Sequence, residues 1–111
     1  MSDSDLLFLP VRTLAAKLRA KSVTSVALTE ASLSRLESLG PKFNAVVTVM
    51  RDSALAEARI ADAELRAGKS RGLLHGIPYG VKDLLATKGV PTTWGAEPYR
   101  KQVFDHDATV V

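Results

Sequence analysis

The stretch from Leu74 to Asp83 holds the residues whose types and spacing could do chemistry, and Lys82 is the first candidate among them. The stretch reads Leu-His-Gly-Ile-Pro-Tyr-Gly-Val-Lys-Asp. If residues 77–82 form a strand, alternate side chains face opposite sides, so Gly80 and Lys82 share one side and the lysine has room for a neighbouring group. An apolar approach would partly desolvate the ammonium group, and a lysine serves as a base under that condition.

Lys82 also has a simpler interpretation, as a solvated surface charge at the end of a strand. Asp83 could act on the lysine electrostatically, or it could bond to the loop that follows. The glycines of the stretch do not form a phosphate-binding loop, because Val81 precedes the lysine and no Ser or Thr follows it. The residue pattern alone leaves the catalytic and the surface roles of Lys82 open.

The two histidines, His75 and His106, lie 31 residues apart in a chain without cysteine. That spacing predicts no metal site, and each histidine is best interpreted as a loop residue bonded to backbone. The aromatic residues could line a pocket or could be buried with a satisfied polar tip; they are Tyr79, Trp94 and Tyr99. No serine stands in a Gly-x-Ser-x-Gly sequence, so the chain shows no nucleophile signature of that type.

Two helices are predicted before residue 40, and they would help to position this stretch. Thr13 would cap a short first helix, and Ser22 or Thr24 would cap a second one that runs to about Leu39. Gly40-Pro41 would end that second helix. Its apolar residues fall within one broad arc, so it should lie on a core: Val26, Leu28, Leu33, Leu36 and Leu39.

A buried strand and a third helix are predicted next. Residues 45–49 are nearly all apolar and β-branched, which is typical of a strand covered on both faces. Residues 51–67 are rich in Ala, Glu and Arg and predict a helix that ends at Gly68. This helix has apolar stripes on opposite sides, so either both sides are covered or one set of alanines only favours helix. Asp62 and Arg66 could pair across one turn.

The composition indicates one globular domain of the α/β class with a helix-rich first half. The 111 residues are 46% hydrophobic and 24% charged, which are ordinary values for a folded domain. The absence of cysteine excludes a disulfide framework, a thiolate zinc site and a Cys nucleophile. No apolar run is long enough for a membrane helix and the N-terminus is acidic, so we predict a cytoplasmic protein without a membrane partner, with residues 1–10 flexible.

The charge pattern argues against a nucleic-acid site. The net charge is +3, but each third of the chain, residues 1–40, 41–70 and 71–111, carries five basic and four acidic side chains. Nucleic-acid surfaces normally need clustered basic residues. We therefore expect no direct nucleic-acid contact.

The last residues predict the start of another helix. Asp107 has the properties of an N-cap, and the four residues that follow it would form one buried turn. A helix of one turn is not stable in water. We therefore expect residues 1–111 to be a single incomplete domain that stops within an element.

At this point the sequence resembles the start of the amidase signature family. The block Leu74–Asp83 and the segment 87–96, which reads Thr-Lys-Gly-Val-Pro-Thr-Thr-Trp-Gly-Ala, carry the resemblance. The flanking segments 44–47, 54–58 and 107–111 are also similar to that family, so the resemblance covers most of the chain from about Thr13. One departure is Ala96, where many members have Ser, and we interpret this position as structural.

The resemblance implies a Ser–cis-Ser–Lys triad in which Lys82 is the catalytic lysine. The residue pattern offers Gly80 and Asp83 as candidates for supporting that lysine. In the family both serines and the oxyanion-binding loop lie downstream of the helix that starts near Asp107. Residues 1–111 would then supply the base without the nucleophile and would be inactive alone. The implied fold is an α/β/α sandwich around a mixed β-sheet, of which this chain is the N-terminal part, and no cofactor or metal is implied.

Three functions remain open at this stage. The chain resembles stand-alone amidases, which act on small-molecule amides, and equally the A subunit of tRNA-dependent amidotransferases, which use glutamine and work with partner subunits. In either case the remainder of the amidase domain would be its first partner. The third hypothesis is a small non-enzymatic binding module, in which Lys82 serves only packing or surface charge.

Overall fold

Helices dominate the first half of the chain, as the sequence predicts. The computed structural model describes residues 2–111, except for the side chains at positions 3 and 4. The chain divides into two compact units, one ending at Pro78 and the other spanning Tyr79–Val111. The helices of the first unit are α1 (Asp3–Leu6), α2 (Val11–Arg19), α3 (Ser25–Phe43) and α4 (Arg51–Arg66). No helix of the described part is both long and apolar enough to cross a membrane.

The sequence predicted the N-cap residue of α3 correctly but not that of α2. The prediction that Thr13 caps α2 is wrong, because Pro10 holds the N-cap position and the Thr13 N–H already donates to the Pro10 carbonyl at 2.9 Å. A proline before the first turn has no N–H to leave unsatisfied. The prediction of Thr24 as the cap of α3 is confirmed, since its hydroxyl accepts from the Ala27 N–H at 3.1 Å.

The core of the first unit lies where α2 and α3 meet. Its fully or nearly buried members are Leu14, Leu18, Val23 and Leu28. The predicted apolar arc of α3 is only partly covered, because Leu28 and Leu33 are buried whereas Leu36 is 40% exposed. Burial of each large aliphatic side chain contributes about 1.5–3 kcal/mol, so this small cluster contributes much of the unit's stability.

Helix α4 packs one of its two apolar stripes against α3. Ala58 and Ala61 are buried, whereas Ile60, on the other stripe, is 56% exposed. The second set of alanines therefore favours helix without covering a core. Asp62 does not bond to Arg66 across a turn; its buried carboxylate accepts from the Ser25 and Val26 N–H groups at 2.7 and 3.1 Å, respectively.

The predicted end of α3 at Gly40-Pro41 is wrong. The helix runs on to Phe43, and Asn44 takes the left-handed conformation, with φ of 49°, that ends it. Gly40 lies inside the helix and does not have a left-handed backbone. It allows a close approach instead, since a Cβ built on it would lie 2.8 Å from Val46 Cγ2. Packing against Val46 therefore explains the glycine better than helix termination does.

The predicted buried strand at residues 45–49 is not a strand in the described chain. The segment has no backbone hydrogen bond from residues 46–49 to any described residue, and Val47 is 65% exposed. A strand needs a paired neighbour, and β-branched residues alone do not supply one. The segment instead borders a groove of about 360 Å³ against the end of α3, lined among others by Leu36, Gly40 and Val49.

A short helix occupies part of the N-terminal segment. The Ser2 hydroxyl accepts from the Asp5 N–H, and the Asp5 carboxylate accepts from the Ser2 N–H at 3.0 Å, which is the reciprocal arrangement of a capping box. The Ser2 hydroxyl holds the pKa of the Asp5 carboxyl below its usual value. The flexibility of residues 1–10 stays a prediction.

The second unit is built from turns and loops rather than from strands. Within residues 79–111 the regular elements are one 3₁₀ helix at Glu97–Tyr99 and an isolated antiparallel bridge between Pro91 and Val103. The mixed β-sheet is thus absent from residues 2–111, and residues 77–82 do not form the expected strand. A helix after Asp107 is also absent, because its carboxylate accepts from the Lys88 N–H at 2.7 Å instead of capping a turn.

Candidate functional site

Lys82 lies at a tight turn in the second unit. Its carbonyl accepts from the Leu85 N–H at 3.0 Å, which closes the turn over residues 82–85. The side chain is exposed, so the partial desolvation that an apolar strand would have given it is not present in this chain. A Cβ built on Gly80, two residues before the lysine, would meet no atom within 4 Å, so this position borders open space. The lysine side chain is accessible to solvent.

Asp83 is the best anchored polar side chain of this turn. Its Oδ1 accepts from the Thr93 N–H at 2.7 Å, and its Oδ2 accepts from the Thr93 hydroxyl. The Asp83 carbonyl also accepts from the Trp94 N–H at 3.0 Å. The Thr93 hydroxyl and N–H together hold the pKa of the Asp83 carboxyl below its usual value, because both donate to the charged form.

The segment that Asp83 holds is conformationally demanding. Trp94 and Gly95 both have left-handed backbone, with φ of 55° and 69°. The Thr93 hydroxyl accepts from the Gly95 N–H at 3.1 Å while it donates to Asp83, so one side chain satisfies both ends of the turn. We name Asp83, Thr93 and Gly95 the Asp83 clamp. It fixes the backbone directly after Lys82, and of the two roles considered for Asp83 this contact with the following loop is the observed one.

The aromatic residues of the second unit form a partly exposed cluster rather than a closed pocket. The rings of Trp94 and Tyr99 lie 4.8 Å apart between centroids, and Trp94 lies 6.2 Å from Phe104. Trp94 and Tyr99 are 44% and 43% exposed. The Tyr79 hydroxyl donates to the Val111 carbonyl at 3.1 Å, away from this cluster.

The histidines occupy different units and different environments. His75 belongs to the first unit and is buried, and its Nδ1 accepts from the Arg71 N–H at 2.8 Å. This contact confirms the interpretation of His75 as a loop histidine bonded to backbone. His106 belongs to the second unit, is exposed and lies 3.1 Å from the Asp105 carboxylate. Among the described residues no three acidic or histidine side chains converge as metal ligands would.

Two partners in these contacts were missed from the sequence. Thr93 follows Asp83 by ten residues across an irregular loop, and no periodicity links positions so placed. Its one signal is the Thr-Thr pair just before Trp-Gly, where a turn is expected. Glu64, whose Oε2 lies 3.0 Å from His75 Nε2, stands on α4 among several exposed charges of the same kind. Sequence spacing carries no information about contacts of this long-range kind.

Comparison with known proteins identifies similar chains over most of the sequence. The profile of the family described as Amidase matches residues 27–111. AmiD of Mycobacterium tuberculosis, which carries the provisional name of an amidase, is 44% identical over 94 residues, or 85% of this chain and 20% of that protein. The glutamyl-tRNA(Gln) amidotransferase A subunits of Streptomyces coelicolor and Anaeromyxobacter dehalogenans are 38% and 42% identical over 107 residues, 96% of this chain and 22% of each relative. The chain thus spans about a fifth of the length of these curated relatives.

Proposed function

The chain belongs to the amidase family, and on that premise we propose that it supplies Lys82 as the base of an amide-bond hydrolase or amidotransferase. The observation that carries the proposal is the family match over residues 27–111, which includes the whole block Leu74–Asp83. The exposed side chain of Lys82 supports it, since a base must reach a group supplied by another part of the protein. The Asp83 clamp supports it further by fixing the backbone next to the lysine.

The proposed chemistry is acyl transfer through a Ser–cis-Ser–Lys triad. Neutral Lys82 accepts a proton through the bridging serine while the second serine attacks the amide carbonyl carbon. The new C–O bond forms an acyl-enzyme, the C–N bond breaks, and the proton passes back through the bridging serine to the departing nitrogen. Water or another nucleophile then releases the acyl group. Backbone N–H groups of a Gly/Ser-rich loop stabilise the oxyanion.

The support that Gly80 and Asp83 give to Lys82 is part of the same proposal. The open space at Gly80, two residues before the lysine, leaves room for a side chain from another part of the protein, for which we propose the bridging serine. Asp83 acts on the backbone after the lysine through Thr93 rather than by touching substrate. We call it a positioning residue for that reason.

The α/β/α sandwich with a mixed sheet is proposed for the whole protein rather than for residues 2–111. The extended segment 45–49 supports this, because the backbone groups of residues 46–49 have no hydrogen-bond partner among the described residues. Pairing with strands outside this chain would satisfy them. The remainder of the amidase domain is accordingly its first proposed partner, a small-molecule amide is its proposed substrate, and a cytoplasmic location stays a prediction.

A second candidate function is the A subunit of a tRNA-dependent amidotransferase. Relatives with that name match 96% of this chain, which is the observation in its favour. In that case the site would release ammonia from glutamine, and partner subunits would carry the tRNA contacts. Co-purification with such subunits supports this candidate, and glutamine-independent hydrolysis of varied amides by the full-length protein counts against it.

The proposal is tested by comparing lysine variants of the full-length protein on simple primary amides and on glutamine. We expect Lys82→Ala and Lys82→Arg each to lose about 10²–10⁴-fold in kcat/KM. Alanine has no group that accepts the proton, and the guanidinium of arginine stays protonated and cannot accept it. Lys88→Ala, which removes another exposed lysine of the same unit, is the matched control and should keep full activity. An active Lys82→Arg variant would refute the base role.

A separate experiment tests the dependence on serines outside residues 1–111. The purified 111-residue chain should show no amide hydrolysis, since it holds the base and not the nucleophile of the proposed triad. Hydrolysis by this chain that disappears in Lys82→Ala would overturn that part of the proposal. Cooperative unfolding without binding of a hydrophobic dye would instead favour the third hypothesis, a small binding module.

A further inference from the structure

The buried imidazole of His75 holds a loop that the proposed chemistry does not use. Its side chain is 1% exposed, although it lies in a loop and not in a helix. Nδ1 accepts from the Arg71 N–H at 2.8 Å, and an accepting Nδ1 carries no proton. The neutral ring therefore has its proton on Nε2, which lies 3.0 Å from Glu64 Oε2 on α4. We name Glu64, Arg71 and His75 the His75 anchor.

The loop around His75 depends on this anchor because its apolar side chains do not hold it. Leu73 and Leu74 are 57% and 70% exposed. Gly76 adds a close backbone approach, since a Cβ built there would lie 3.3 Å from Ser25 Cβ in a left-handed conformation with φ of 84°. Between residues 71 and 75, His75 is thus the buried side chain that ties the loop to the helices.

The charges that face His75 oppose one another. Glu64 comes from α4, and its Oε2 lies 3.1 Å from the Arg71 Nε and 3.0 Å from the His75 Nε2, so the imidazole and the guanidinium face the same carboxylate oxygen. The atoms of α2 and α3 nearest the adjoining Gly76 are uncharged atoms of Leu18 and Ser25. The Asp62 carboxylate behind Ser25 is occupied by backbone N–H groups. A second proton on His75 therefore meets one attractive and one repulsive charge.

We propose that protonation of His75 is a switch that releases the Arg71 backbone from the imidazole and loosens the loop of residues 69–76. A proton on Nδ1 places two N–H donors against each other, so the bond to Arg71 cannot persist. The Glu64 carboxylate then attracts the imidazolium. The Arg71 N–H loses its acceptor on His75, and the Arg71 guanidinium competes with the imidazolium for Glu64. The loop leads into the block that contains Lys82, seven residues after His75. The inference does not depend on the proposed function, because it concerns the loop itself.

Hydrogen exchange of the full-length protein tests this switch directly. We compare protection of the Arg71 amide near pH 7.5 and near pH 5, a range in which histidine side chains ordinarily change charge, after correction for intrinsic exchange. In the unmodified protein, protection should fall about two- to twelvefold at the lower pH, as expected for loss of one hydrogen bond of the backbone N–H. In His75→Asn the amide oxygen can accept the same bond without titrating, so protection should stay constant.

His106→Asn is the matched control, because it removes the exposed histidine and should follow the unmodified protein. Equal protection at both pH values in the unmodified protein overturns the proposal. A second measurement covers the case in which His75→Asn fails to fold. Imidazole ¹⁵N spectra of the histidine-labelled protein should show an unprotonated Nδ1 for the buried histidine near pH 7.5 and a protonated one near pH 5, and a protonated Nδ1 at both values overturns it too.

Discussion

Removal of the Thr93 hydroxyl should break the Asp83 clamp while leaving the chain length and charge unchanged. In Thr93→Val the Asp83 carboxylate loses one of the two donors on Thr93, and the Gly95 N–H loses its acceptor. A hydrogen bond to a charged group contributes about 1.5–3 kcal/mol and one between neutral groups about 0.5–1.5 kcal/mol. The two losses together predict a destabilisation of about 2–4 kcal/mol, centred on the left-handed turn at Trp94.

The pH dependence of this loss follows from the direction of the Asp83 shift. The pKa of Asp83 is lowered in the folded chain, so the stabilisation is fully present above the unfolded carboxyl pKa of about 4 and disappears as the pH falls through the folded value. The difference between Thr93→Val and the unmodified chain should therefore be largest above about pH 5. It should decrease as the pH falls through the folded value and level off at the contribution of the Gly95 hydrogen bond, which involves no titrating group.

The assay is urea denaturation at a series of pH values, followed by tryptophan fluorescence, because Trp94 is the one tryptophan of the 111 residues and lies in the turn. Thr93→Ser keeps the hydroxyl and should restore most of the stability, which separates the hydrogen bonds from simple packing. Thr109→Val, which changes an exposed threonine of the same unit, should alter stability by less than about 0.5 kcal/mol. A Thr93→Val chain as stable as the Thr93→Ser chain would refute the reasoning.

Three further predictions concern the helices. Asp62→Ala should lower the free energy of unfolding in urea by about 3–5 kcal/mol, because two N–H groups at the start of α3 lose a buried charged acceptor. Glu57→Ala, an exposed change that also lies on α4, should lower it by less than about 0.5 kcal/mol. Equal losses in the two variants would contradict this role of Asp62. Gly40→Ala should lower the free energy of unfolding in urea by about 1–3 kcal/mol, because the new methyl group meets Val46. The loss should vanish in a Val46→Ala background, and additive effects of the two changes would contradict the contact. Asn44→Val should cost about 1–2 kcal/mol and Asn44→Gly almost nothing in thermal denaturation, and a tolerated valine would contradict the left-handed helix end.

The long helices could be predicted from the sequence because their signals are local. Thr24 caps α3 as predicted, and the run 51–67 forms α4 over Arg51–Arg66 because most of its residues are Ala, Leu, Glu or Arg, which favour helix on their own. The end of α3 could not be predicted, since Gly40 has two uses and only the folded chain shows Val46 beside it. Local propensity cannot distinguish a glycine needed for a turn from one needed for contact.

The residues of the candidate site stood out in the sequence, whereas the side chains that contact them did not. Lys82 stood out through the block around it, and the family match now covers that block. Thr93 contacts Asp83 ten residues away across an irregular loop, and Glu64 on α4 lies next to His75, eleven residues further along the chain. The strand expected at 45–49 is absent for a related reason, since it also depends on a contact that the local sequence does not show. A β-branched run favours extended backbone, but a strand in a sheet also needs a paired neighbouring strand.

The open segment after α3 has a consequence for how the chain behaves at high concentration. Residues 45–50 read Ala-Val-Val-Thr-Val-Met, an uncharged hexapeptide without proline and with high β-propensity. Within it, residues 46–49 have no backbone hydrogen bond to any described residue, and such a window is the type of sequence that stacks into cross-β aggregates. Lys42 and Arg51 flank it closely, and their charges oppose the stacking of identical copies. These two flanking charges thus act against self-association of the segment.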